Sequence, residues 1–202
     1  MRKKIIITGG LGYIGTELCK LYSGVSWNNE IIVIDNRFVS ERVNQVRNWN
    51  MEFVHGDILD KDLINKYCKN ADVIHHLAGI TEVPRTKSEA NEVQDNKIKI
   101  VAEEGTQNIL DAISDKCKII FPSTHVVYEG MEKIQNEILE NEEVKPILSY
   151  SRSKALNEKQ LKQSGKNYII LRLGSVYGYS SDTARIDIMP NLFSKIASQD
   201  GT

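Results

Sequence analysis

Six short runs of strand-forming residues recur along the chain, and the way they are spaced limits its fold more than any other feature. They are "KKIIIT" (3–8), "EIIVID" (30–35), "MEFVHG" (51–56), "DVIHHLAG" (72–79), "CKIIFPST" (117–124) and "NYIILRLG" (167–174). Segments with helical periodicity fall between them, at 13–22, 60–68, 88–114 and 150–163. Strands that are apolar throughout, alternating with amphipathic helices, predict an α/β fold: a doubly wound parallel sheet (Rossmann) with helices on both faces. The 202 residues are enough for one such domain with a substantial core. The acid-rich run at 129–146 predicts a solvated loop with some helix.

Composition narrows the function classes. A net charge of −1 gives no general pull toward nucleic acid or an acidic membrane. No segment is long and apolar enough to span a bilayer, and the start lacks the apolar stretch of a signal peptide. Cys19, Cys68 and Cys117 are odd in number and widely spaced. That pattern suits neither a disulfide framework nor a zinc site, and predicts reduced thiols in a cytoplasmic protein with no metal.

The first run leads into "TGGLGYIG", where Gly9, Gly12 and Gly15 are spaced three apart and open a helix. One glycine allows the tight turn and one lets the backbone approach a pyrophosphate. The third lets the helix pack close to the strand, with its free N–H groups toward the phosphates. Asp35 follows twenty residues after Gly15, at the end of the second run. An acid there accepts hydrogen bonds from the adenosine ribose and repels a 2′-phosphate, which favours NAD over NADP. Arg37, two residues on, leaves NADP open. Asp57 lies along the same sheet edge or belongs to a helix-capping region, with Asp60 the cap of helix 60–68. His75 and His76 have no ligand-like neighbours in sequence and read as buried histidines.

"LSYSRSKAL" (148–156) places Tyr150 and Lys154 four apart, on one face of a helix. Of the eight tyrosines, only Tyr150 is followed by lysine at the fourth position. Hydride transfer at an alcohol carbon needs a proton moved on or off the oxygen. Free tyrosine, with a pKa of ~10, is a poor base at neutral pH, but a cation one turn away favours the phenolate. Alone, the pair is either such a device or the first turn of an ordinary surface helix.

The motifs, taken in order, are "TGGLGYIG", "VIDN", "GDI", "HLAG", "GTQNIL", "FPSTHVVY", "YSRSK" and "LRLGSVYG". As a series they resemble the extended short-chain dehydrogenase/reductase family, in its NAD-dependent sugar epimerase/dehydratase branch, over residues 5 to 178. The resemblance implies a dinucleotide loop at Gly9, Gly12, Tyr13, Ile14 and Gly15, and ribose contacts from Asp35 and Asn36. It implies that Asp57 and Ile58 flank adenine and that Leu77, Ala78 and Gly79 run along the cofactor. Ser123, Tyr150 and Lys154 also fall on cofactor positions, and Thr124, Tyr150 and Lys154 on catalytic ones. Thr81, Thr124 and Ser175 match substrate positions.

The implied function is an NAD-dependent nucleotide-sugar epimerase, with Tyr150 as acid and base. The alternatives are a reductase or decarboxylase of the same family, or a non-catalytic dinucleotide-binding module. His125 and Val126 stand where dehydratases of this branch carry an acidic pair, which favours epimerisation over dehydration. Ala102 and Ser175 replace common asparagines, and Pro122 a common serine. The same resemblance divides the chain into an NAD-binding domain, 1–178, and the start of a truncated substrate lobe, 179–202. Apolar surface left by such a truncation would favour self-association, with a homodimer expected.

Overall fold

The structure is a computed structural model that describes residues 2–81, 91–133, 135–181 and 188–200. Six parallel strands form one sheet: β1 (Lys4–Thr8), β2 (Glu30–Asp35), β3 (Glu52–His55), β4 (Val73–His76), β5 (Lys118–Thr124) and β6 (Asn167–Leu173). Their order is β3-β2-β1-β4-β5-β6. The direction of winding reverses between β1 and β4. A crevice therefore opens beyond the carboxyl ends of these strands, where this class of sheet binds its ligands.

The connecting helices are α1 (Tyr13–Tyr22), α2 (Ser40–Asn48), α3 (Lys61–Cys68), α4 (Glu92–Ala112) and α5 (Ser149–Gln163), and α6 (Met189–Asp200) follows β6. Strand alternation sends Ile6 to one face and Ile5 and Ile7 to the other. On the first face Ile6, Ile32, Ile74 and Phe121 meet Ile64 of α3, Ile109 of α4 and Leu161 of α5. On the second, Ile5, Ile7 and Val33 meet Cys19 of α1 and Val43 and Val46 of α2. Both faces of β1, β2 and β4 are thus buried, as the uninterrupted isoleucine runs require, whereas Tyr168, Ile169 and Leu171 leave β6 exposed at the sheet's end.

Three local expectations change. The sequence pattern predicts no helix between β2 and β3, yet α2 is there. Only Val43 and Val46 of its nine residues are buried, so its apolar stripe is too thin to give a clear period. β4 stops at His76, and Leu77–Gly79 form the loop beyond it. The described residues of 129–146 contain no helix. That segment instead folds back on itself, with Lys145 N–H donating to Val127 O at 2.8 Å and Gly130 N–H to Lys145 O at 2.9 Å.

Pro122 sits inside β5 without breaking the sheet. Pairing with β4 ends at Ile120, so the missing N–H falls beyond that ladder, while pairing with β6 runs on to Thr124. His75 and His76 are buried on β4 and hydrogen-bonded. His75 Nε2 lies 2.7 Å from Tyr22 Oη, and His76 lies 3.0 Å from both Thr8 Oγ1 and Thr106 Oγ1. Burial, then the Lys154 cation, pushes His76 down to about 3, so it is a neutral strut between β1 and α4. After β6 the chain returns to the start of α1. Tyr13 Oη donates to Gly178 O at 2.6 Å, Asn191 Nδ2 donates to Tyr13 Oη at 3.1 Å, and Ser180 Oγ donates to Tyr13 O at 2.8 Å. These bonds straddle the 178/179 boundary drawn from the sequence.

Candidate functional site

The glycine loop lies between β1 and α1, at the mouth of the crevice. Gly9 adopts φ +69°, a left-handed conformation that costs an ordinary L-residue energy. A Cβ there would also stand 2.7 Å from Ala78 N, because the loop after β4 lies directly against it. A Cβ on Gly15 would stand 2.3 Å from Gly9 O, so α1 docks on the loop only through glycine. Gly12 is the N-cap residue of α1 and offers no side chain to its first turn. A helix start leaves backbone N–H groups without intrahelical partners, which is what an anion requires. Gly9→Ala is expected to lower the melting temperature and to weaken NAD binding at least ~tenfold, since strain and overlap each exceed ~1 kcal/mol. Calorimetric titration of the variant checks it, and unchanged affinity would show that the close approach is dispensable.

Asp35 is buried at the end of β2. It accepts from Leu11 N–H and Arg37 N–H, both at 2.9 Å, so one carboxylate ties the end of β2 to the glycine loop. Arg37 and Arg42 both donate to Leu11 O. Asn36 Nδ2 donates to Asp57 Oδ2 at 2.9 Å, while Asp57 Oδ1 accepts from Leu59 N–H at 2.9 Å. Asp60 caps α3 through Leu63 N–H at 3.0 Å. Both readings of Asp57 thus have a counterpart: it closes a turn before α3, and it lies beside Asn36 at the sheet edge. The Ile58 side chain is buried against Gly105 of α4. Leu77 N–H donates to Thr8 O at 3.1 Å and Ala78 N–H to Thr8 Oγ1 at 3.2 Å, which holds this loop beside Gly9. Ile14 is partly exposed, Gly79 borders open space, and Thr81 and Ser175 are exposed.

The second half of the site joins β5 to α5. Thr124 is buried at the strand end, and its hydroxyl accepts from Val126 N–H at 3.3 Å, capping a 3-10 turn over His125–Tyr128. Tyr150 is half-buried in the first turn of α5. Lys154, one turn further, is only 8% exposed. Its Nζ donates to Pro122 O at 2.9 Å and lies 4.5 Å from the Phe121 ring centre and 5.9 Å from that of Tyr150. Burial pushes Lys154 down to about 8, so near neutral pH it is a buried cation beneath the phenol. The Ser123 hydroxyl donates to Glu158 Oε1 at 2.6 Å, which commits its proton.

Two carboxylates at this end carry no obvious signal in the sequence. Glu158 is buried and holds Arg172 of β6 through Nη2 at 2.6 Å and Nε at 3.0 Å. Burial pushes its carboxyl up, but Arg172 and then Ser123 outweigh burial and hold it below the usual range. Its spacing of four from Lys154 is the one readable sign, that of a shared helix face. Glu129, inside the acid-rich run, accepts from Ile147 N–H at 2.6 Å, Leu148 N–H at 2.7 Å and the Ser151 hydroxyl. No local spacing signals those partners.

The profile of the NAD dependent epimerase/dehydratase family matches residues 5–201. The chain belongs to this family. Among its relatives, a Methanocaldococcus jannaschii protein with the provisional name UDP-glucose 4-epimerase is 34% identical over 186 residues, covering 88% of this chain and 57% of the relative. CDP-paratose 2-epimerase of Salmonella typhi is 36% identical over 142 residues, 64% of this chain and 39% of that one. Among solved structures, the UDP-glucose 4-epimerase of Brucella ovis in complex with NAD superposes with TM-score 0.69 at 28% identity, over 88% of this chain and 54% of that one. The chain therefore spans about half the length of the relatives it matches. The superposition shows a shared fold, and no described helix is long and apolar enough to cross a membrane.

Proposed function

We propose that the chain forms the NAD-binding, proton-transferring part of a nucleotide-sugar epimerase. The observation that carries this reading is the buried Lys154 cation beneath Tyr150, at the strand end that holds Thr124 and across the crevice from the glycine loop. NAD would supply a hydride acceptor and donor at the nicotinamide ring. Gly9, Gly12 and the first turn of α1 would cradle its pyrophosphate, and Asp35 its adenosine ribose, with NAD preferred because the buried carboxylate repels a 2′-phosphate. Lys154 would favour the Tyr150 phenolate, which takes the proton from a sugar hydroxyl and returns it after the face exchange. Thr124 would orient the same oxygen. The nucleotide diphosphate would reach this centre past Thr81 and Ser175.

Epimerisation fits better than 4,6-dehydration because the residues after Thr124 carry no carboxyl group. His125 Nδ1 lies 3.1 Å from Leu173 O, and Val126 has no acid to offer. The exposed apolar residues Met189, Phe193 and Ile196 of α6 give homodimerisation, which belongs to the same proposal, a surface to use. Incubation with NAD or NADP and a panel of nucleotide sugars, with NMR of the products, tests the reading. The expected product is an epimer at one sugar carbon, formed with NAD. A 4-keto-6-deoxy sugar, or a preference for NADP, would contradict it. Cofactor binding without any sugar conversion would instead favour a dinucleotide-binding module.

A further inference from the structure

We propose that Glu129 is a positioning residue that sets the Tyr150 phenol against Thr124. It rests on the reading of Tyr150 as the acid–base group. The helix carrying Tyr150 begins without a cap of its own: Leu148 occupies the N-cap position and makes no side-chain bond to the first turn. Helix starts leave several backbone N–H groups without partners, and a carboxylate that accepts from them fixes the first turn. Glu129 supplies a carboxylate from outside the helix, to the N–H of the N-cap residue Leu148 and of Ile147 before it. One oxygen, Oε1, accepts from Ile147 N–H, Leu148 N–H and the Ser151 hydroxyl, which bracket Tyr150 in sequence. The Ser151 hydroxyl also lies 2.9 Å from Leu148 O, closing the turn on itself.

The other end of the same connection is Thr124. Its hydroxyl caps the 3-10 turn His125–Tyr128, and Glu129 is the C-cap residue of that turn. A single short turn therefore runs from one candidate catalytic residue to the carboxylate that holds the segment on either side of the other. Hydrogen bonds from Gly130 N–H to Lys145 O and from Lys145 N–H to Val127 O hold the turn in place. Ser151 and the two N–H groups hold its carboxyl below the usual carboxylate range against the opposing effect of burial, and Arg152 adds a weaker attraction. It is thus ionised throughout the range in which a Tyr150–Lys154 pair would work.

The test uses the chain saturated with NAD, in wild-type, Glu129→Ala and Glu129→Gln forms. Glutamine keeps an oxygen acceptor and deletes the charge. Amide hydrogen exchange at residues 147–152 reads the helix start. The Tyr150 titration, followed by NMR of ring-labelled tyrosine and assigned with Tyr150→Phe, reads the phenol's setting. Glu129→Ala is expected to speed exchange on the order of tenfold and to move the Tyr150 titration midpoint up by roughly one pH unit as the phenol leaves the Lys154 cation. Glu129→Gln is expected to restore most of both. Unchanged exchange and titration in Glu129→Ala would overturn the proposal, and so would equal titration changes in the two variants, which would reduce Glu129 to its charge. A wild-type Tyr150 that titrates like free tyrosine would refute its acid–base role instead. The exchange data would then still decide whether Glu129 holds the helix start.

Discussion

Replacing Tyr150 with phenylalanine is expected to lower nucleotide-sugar turnover on the order of 10²–10⁴-fold, the usual contribution of a positioned acid–base group. NAD affinity should stay within a few-fold. The ring is half-buried in the first turn of α5, and phenylalanine preserves its packing. Only the phenol oxygen is lost, and with it the route for the sugar's proton. Loss of this size appears in turnover more than in substrate binding, because proton transfer belongs to the transition state. Steady-state kinetics together with cofactor titration separate the two. A variant that keeps most of its turnover would mean that the proton leaves by another group. A variant that loses NAD as severely as turnover would make Tyr150 a cofactor contact.

The second large effect concerns Lys154, where function and stability oppose each other. Its ammonium is buried, and burial lowers its pKa from an ordinary value near 10.5 to about 8. Between those values the unfolded chain binds more protons than the folded one, so stability attributable to this residue rises with pH. At neutral pH both states are charged and the full burial cost is present; above the unfolded value it is gone. Relative to Lys154→Met, the wild type should therefore gain about 3 kcal/mol between neutral pH and the alkaline limb, since each pH unit between the two values is worth about 1.4 kcal/mol. Denaturant melts of both forms across that range check it. A pH-independent difference would show that the charge is not buried. The bond to Pro122 O and the Phe121 ring offset part of this cost. The same methionine variant should turn over nucleotide sugar at least ~100-fold more slowly, since the phenolate loses its cation.

How legible each part was depends on the range of the interactions that fix it. The sheet was legible because both faces of β1, β2 and β4 are dry, and isoleucine runs record that directly. The glycine loop was legible because Gly9 and Gly15 are required by backbone contacts close to them in sequence or at the adjacent strand end. Tyr150 and Lys154 were legible because one helix turn relates them. What escaped were elements whose partners lie elsewhere. The helix α2 hides behind a two-residue apolar stripe. The bond from the Ser123 hydroxyl to Glu158 spans thirty-five residues. Glu129 looked like one more charge in a solvated run, and its carboxylate in fact grips a helix start eighteen to twenty-two residues downstream. A long-range hydrogen bond leaves no period in the sequence.

The central claim is that one crevice brings a nicotinamide to the Tyr150–Lys154 pair. It is tested most directly by mixing the NAD-loaded protein with a nucleotide sugar and watching for the absorbance of reduced nicotinamide. The account predicts reduced cofactor in the wild type and almost none in Tyr150→Phe with NAD still bound. Equal reduction in both proteins would contradict it.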